Sequence, residues 1–193
     1  AYMAYNQRSV FAIGISYTVR LALFGTAIAF VLALLMVFLR IQEPDKRNND
    51  FVKLIKIVAN KFARFYIFVI RGTPMMVQSM VIYWGYAFAT GGNTLNLFFS
   101  ALVIVSINTG AYIAEIVRGG IISIDKGQFE GARALGMGHV QTMIHVILPQ
   151  VIRNILPAVS NEFVINIKDT SVLNVIGVTE LYFFTKEIVK QKY

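Results

Sequence analysis

The chain has 193 residues, of which 56% are hydrophobic and 15% charged, with 18 Lys and Arg against 10 Asp and Glu and a net charge of +8. Ordinary soluble domains are nearer ~25% charged, and a mean hydropathy of +0.63 excludes a soluble domain; the basic excess therefore reads as cytoplasmic loops of a membrane protein, not as a nucleic-acid surface. The absence of cysteine removes disulfides, thiolate zinc sites and cysteine nucleophiles, and two scattered histidines, His139 and His145, make no metal site.

Residues 21–39 carry no charge and are rich in Leu, Ala, Phe and Val, enough to cross a bilayer as a helix. Residues 40–64 then bring Arg40, Lys46, Arg47, Lys53, Lys56, Lys61 and Arg64, which puts this segment in the cytoplasm by the positive-inside rule. Within it Phe51, Leu54, Ile55, Val58 and Phe62 recur at helical spacing with Lys53, Lys56, Asn60 and Lys61 around the remainder, predicting an amphipathic segment in the inner interface. A second span is expected over 65–88, interrupted by Arg71-Gly72-Thr73-Pro74. Pro74 lacks the N–H that would bond the carbonyl of Ile70, so the span should kink or open there. The uncharged turn 89–93 is expected outside.

A third span over 95–117 ends in Arg118-Gly119-Gly120 and opens a second cytoplasmic loop through Asp125, Lys126, Glu130 and Arg133. A fourth over 143–167 contains Pro149 and Pro157, and Lys168-Asp169-Thr170-Ser171 is expected to break the chain before a fifth apolar run, 172–189. Glu180 and Lys186 interrupt that run, so it would need burial against other helices. The sum is an all-α integral membrane protein of five helices, one domain over 1–193, with its amino terminus outside and its carboxyl terminus cytoplasmic. No signal peptide with a cleavage site is visible, and Ala1 is not an initiator, so a segment upstream is expected.

In the second cytoplasmic loop, about residues 119–142, Phe129 is followed by Glu130-Gly131-Ala132-Arg133-Ala134-Leu135-Gly136 and, nine residues on, by Val146-Ile147-Leu148-Pro149. This resembles the EAA loop of ABC importer permeases, with Gly131 for the first Ala and Val146 for Ile; an ordinary interfacial helix is the plainer alternative. Residues 129–135 can form a short helix stopped by Gly136 and Gly138. Arg71-Gly72-Thr73-Pro74 with Gln78, Tyr112-Ile113-Ala114-Glu115 before Arg118-Gly119-Gly120, and Lys168-Asp169-Thr170-Ser171 are similar to the polar amino acid branch of that family, so the resemblance covers nearly the whole chain. It implies a type I importer permease in a bacterial inner membrane, taking up glutamine, glutamate, histidine, arginine or a relative. It also implies two permeases paired with two ATPases that carry ATP and Mg, and an external binding protein or a binding domain fused upstream. The permease itself would have no catalytic residue and bind no cofactor, and the chain indeed has no P-loop pattern.

A zwitterion crossing hydrocarbon needs an acceptor for its ammonium and a donor for its carboxylate. Glu162, Asn166 and Asp169 share one face of the fourth span, Lys168 is adjacent, and Thr170 and Ser171 are expected to expose backbone N–H groups at the start of the fifth. On this reading Asp169 and Glu162 receive the ammonium or a polar side chain, and Lys168 with Thr170 and Ser171 receives the carboxylate; a Lys168–Asp169 ion pair and a helix cap would explain the same residues structurally. Asn108, Tyr112 and Glu115 share a face of the third span and are expected to line the translocation path with substrate contact, an ion pair of Glu115 with Arg118 or Arg71 being the structural alternative. Arg71 either meets a carboxylate in the path or snorkels at the inner boundary, Arg20 is an outer-edge anchor, and His139 and His145 pack beside the loop helix.

The function class competing with a permease is a passive channel or scaffold, which has no use for the Glu130-to-Pro149 spacing and no reason to hold an ATPase. No nucleophile and base pair suggests a membrane enzyme. Five helices are few to enclose a gated path, so two subunits about a two-fold axis are expected, identical or merely similar.

Overall fold

The computed structural model describes residues 8–41 and 49–190, all of whose regular structure is helical. Lys46 and Arg47 of the basic segment lie outside the described residues, as do both chain ends. The helices are α1 (Arg8–Ile41), α2 (Asp50–Gly72), α3 (Met75–Ala89), α4 (Leu97–Ile122), α5 (Lys126–Ala134), α6 (His139–Thr142), α7 (Leu148–Asp169) and α8 (Leu181–Lys190). A π turn, Met143–Ile147, joins α6 to α7, and a 3-10 segment, Thr170–Ile176, extends α7.

Three segments are long and apolar enough to cross a membrane: Arg8–Ile41, Leu97–Ile122 and the joined run His139–Ile176. The pair α2 and α3 would make a fourth, but it is bent by 109°. The amphipathic stretch 51–62 and the first half of the expected second span form one helix, because neither glycine nor proline interrupts the chain between Asp50 and Gly72. The break falls at Thr73–Pro74, as the missing N–H of Pro74 requires.

The break expected at 168–171 does not occur there. Every residue of that stretch has an N–H to give, and the helix runs on through Thr170 to Ile176 before it ends at Gly177, whose φ of +95° is the left-handed region glycine enters without strain. Among the described residues the expected fifth span is a 3-10 segment followed by a helix of 10 residues. Glu180, expected only as an interruption, is buried and caps α8: its two carboxylate oxygens accept from Tyr182 N at 2.7 Å and Phe183 N at 2.9 Å. An acidic group at a helix amino terminus is stabilised by the exposed N–H dipoles.

The core is built around α4, which packs against α1, α2 and α7. Small residues on α1, among them Gly14, Thr18, Ala22, Gly25, Ala29 and Ala33, recur every three or four positions and are buried, letting backbones approach where apolar burial gives helices in lipid little drive to associate. A Cβ at Gly25 would lie 2.6 Å from Val105 on α4, and one at Gly120 would lie 2.2 Å from Ile155 on α7. Two apolar clusters result, one around Ala33, Ile67, Ile113 and Val151, the other around Leu21, Tyr83, Ile104 and Leu173.

Candidate functional site

Pro74 leaves the carbonyl of Ile70 without its helical donor, and a side chain supplies one. Gln78 Nε2, one turn into α3, shares its two protons among three acceptors, Ile70 O at 2.8 Å, Thr73 O at 2.9 Å and Thr73 Oγ1 at 2.8 Å. Its Oε1 accepts from Asn108 Nδ2 of α4 at 3.0 Å. The sequence pattern includes Gln78, but its role was legible only from the unpaired carbonyl that Pro74 predicts.

Beside this bend lies a cavity of about 240 Å³ lined by Thr73, Pro74, Met75, Asn108, Tyr112, Glu162, Ile165, Asn166 and Asp169. It brings together five of the predicted substrate residues, from the third and fourth spans, and adds the bend itself as a wall. Asn166 is also a structural clasp: its Oδ1 accepts from Thr109 Oγ1 at 2.7 Å and its Nδ2 donates to Thr26 Oγ1 at 2.8 Å, tying α7 to α4 and α1. The clasp holds the face of α7 that carries Glu162 and Asp169 one turn to either side.

The other predicted residues stand elsewhere. Lys168 is exposed and outside the lining, and among the described residues no ion pair joins it to Asp169. Thr170 and Ser171 do not open a helix. Thr170 is buried, its N–H bonds Asn166 O and its hydroxyl donates to Ile167 O at 3.0 Å, while Ser171 Oγ donates to Lys168 O at 2.7 Å. The backbone N–H of Thr170, expected to be open to a carboxylate, is instead used in the helix ladder. Asp169 has helical φ and ψ and makes no side-chain cap, so the capping explanation is not realised either.

Arg71 places its guanidinium over the ring of Tyr112, 5.2 Å from the centroid, within cation–π reach. Both line a second cavity of about 680 Å³ with Arg40, Arg64 and Glu115. Glu115 is bonded by Arg118, as expected, and by Arg40 of α1 in place of Arg71. Arg40 is the first charge after the uncharged run of α1, and only the packing of α1 on α4 brings it to Glu115.

The loop helix α5 begins at Asp125, whose carboxylate accepts from Gly127 N at 2.6 Å. It ends in a paired Schellman closure, Met137 N to Ala132 O at 3.1 Å and Gly136 N to Arg133 O at 2.9 Å, with Gly136 at φ +77°. Ala132 and Phe129 face the protein, whereas Glu130, Gly131, Arg133, Ala134 and Leu135 are exposed, Leu135 by 84%. Gln150 of α7 fastens this element by donating to Gln128 Oε1 at 3.1 Å. His139 and His145 are exposed, the latter with Nδ1 3.1 Å from Gln141 O.

Residues 53–188 match the family described as binding-protein-dependent transport system inner membrane component. The chain is 46% identical over 132 residues to the glutamine transport system permease protein of Escherichia coli K12, covering 68% of this chain and 60% of that protein. It is thus shorter than that relative and spans about three fifths of it. The octopine transport system permease protein of Rhizobium radiobacter is 33% identical over 93% of this chain and 71% of its own length. The L-cystine transport system permease protein of Bacillus subtilis is 38% identical over 91% and 69%. A crystal structure of an amino acid ABC transporter with histidines superposes with a TM-score of 0.82 at 35% identity, over 97% of this chain and 80% of that one. With the resemblance read from the EAA-like loop now matched across most of the chain, this protein belongs to the family of binding-protein-dependent transport system inner membrane components, among the polar amino acid ABC permeases.

Proposed function

We propose that this chain is the transmembrane subunit of an ATP-driven importer for a polar amino acid, glutamine or a close relative, in a bacterial inner membrane. Two such subunits, identical or similar, flank the path, with five crossings each, amino termini outside and carboxyl termini in the cytoplasm. A pair of separate ATPase subunits carries ATP and Mg and engages the exposed face of α5, and an extracytoplasmic binding protein or domain delivers the solute. The observation that carries this reading is the cavity where Asn108, Tyr112, Glu162, Asn166 and Asp169 converge on a broken helix, since discontinuous helices mark transporter sites. Glu162 and Asp169 suit an ammonium, and the amides suit a polar side chain.

Arg71 on its Tyr112 perch is the cation that a substrate carboxylate meets on the path between the two cavities. The relative whose printed name is a glutamine permease supports glutamine over the other solutes.

The test is uptake of labelled glutamine, arginine and histidine into liposomes that hold the assembled permease, ATPase and binding protein, with ATP present or absent, beside Asp169→Asn. ATP-dependent accumulation of one solute, lost in the variant while ATPase activity persists, is expected. Equilibration without ATP would instead identify a passive channel.

A further inference from the structure

The bend at Pro74 dictates which atom of Asn108 faces the cavity. Gln78 must aim its Nε2 at Ile70 O, Thr73 O and Thr73 Oγ1, all acceptors here because Thr73 Oγ1 gives its own proton to Val69 O at 2.8 Å. Its other end, Oε1, is thereby turned to α4, where it can only accept, so Asn108 must present Nδ2 to it. Both amide orientations follow from the network and from the proline. Asn108 Oδ1 is left over. It accepts no hydrogen bond among the described residues, it is not enclosed, and the residue lines the 240 Å³ cavity.

We propose that Gln78 is a positioning residue that, by standing in for the amide Pro74 lacks, locks Asn108 with its carbonyl oxygen toward the cavity, so that the site selects a solute bearing an N–H donor over its carboxylate isostere. This rests on the importer reading above and names the basis of its selectivity. A site built around an acceptor leaves that acceptor unpaired, or set against a like charge, when the donor is replaced by a carboxylate, and such mismatches discriminate strongly. Glutamine and glutamate differ by this one exchange of NH2 for O at nearly constant shape. With Gln78 unable to orient it, Asn108 is free to turn its amide and donate instead, and the discrimination falls.

The assembled transporter in liposomes is assayed for competition by unlabelled L-glutamine and L-glutamate against labelled L-glutamine uptake, for wild type, Gln78→Met, and Gln78→Met with Pro74→Ala. Gln78→Met is expected to lower the glutamine-over-glutamate preference about tenfold. Pro74→Ala returns an N–H to Ile70 O and repairs the helix, but it cannot orient Asn108, so the preference should stay low. An unchanged preference in Gln78→Met, or its recovery with Pro74→Ala, would overturn the proposal in favour of a merely structural glutamine.

Absence of glutamine uptake by the wild type would defeat the importer reading on which the selectivity rests, and a second measurement tests the hold of Gln78 on the bend apart from any solute. The chain has no cysteine, so spin labels at Lys61→Cys on α2 and Phe88→Cys on α3 report the distance across the bend directly. Gln78→Met should broaden that distance distribution, and an unaltered distribution would overturn the latch whatever the solute.

Discussion

The guanidinium of Arg71, the residue at the edge of the broken helix, rests on the face of Tyr112 of α4. Neither carboxylate available nearby, Glu115 or Glu162, takes it as an ion-pair partner among the described residues. The arrangement holds a cation without an ion-pair partner in the second cavity, against the tyrosine that lines both cavities. Truncating the ring by Tyr112→Leu should cost about 1 kcal/mol, and the loss should be mostly absent when Arg71→Met is already present. Thermal-unfolding midpoints of the two single variants and the double variant measure that coupling.

Glu115 joins α1 to α4 by accepting from Arg40 and Arg118, with its side chain 16% exposed and theirs 23% and 36%. Glu115→Gln should destabilise by about 1–3 kcal/mol, less than a fully buried pair would because both arginines reach water. The thermal midpoint of the detergent-solubilised protein checks this, and Arg40→Gln combined with Glu115→Gln should cost much less than the sum of the two.

Neighbouring glycines on α4 should answer oppositely to alanine. A Cβ at Gly120 would lie 2.2 Å from Ile155 Cγ2, whereas nothing lies within 4 Å of one at Gly119. The β-branched isoleucine has few rotamers in which to retreat, so Gly120→Ala should cost about 1–3 kcal/mol and be relieved by Ile155→Val only in part, since Val keeps the clashing branch, but more fully by Ile155→Ala. Gly119→Ala should be neutral or gain up to about 1 kcal/mol from helix propensity. Unfolding midpoints of the four variants decide.

Gly136 closes α5 at a φ of +77°. Gly136→Ala forces a Cβ into the left-handed region at a cost of about 1 kcal/mol and loosens the last turn, which presents Leu135 and Arg133. The expected outcome is a several-fold fall in ATP-dependent uptake with little change in the ATPase's own hydrolysis, read by assaying both in the same liposomes; equal loss of both would point to misfolding.

The order of residues alone sets the class of this protein and the places where its chain must yield. Uncharged runs of bilayer length, the basic segment after the first of them and the spaced Glu130-to-Pro149 pattern are local properties, and so is the break at Pro74, which follows from one missing hydrogen. The same locality explains what misled: the charges at Lys168 and Asp169 suggest a break, yet no backbone donor is missing there, and the helix continues to Gly177. The convergence of Asn108 and Tyr112 with Glu162, Asn166 and Asp169 was half legible, since helical spacing puts each set on one face but cannot say that the two faces meet. That meeting, the choice of Arg40 over Arg71 for Glu115, the Thr109–Asn166–Thr26 clasp and the turn of Gln78 toward Ile70 belong to the tertiary structure. They depend on which helices approach closely, and that is set by where Gly25, Gly110 and Gly120 leave room for a neighbour.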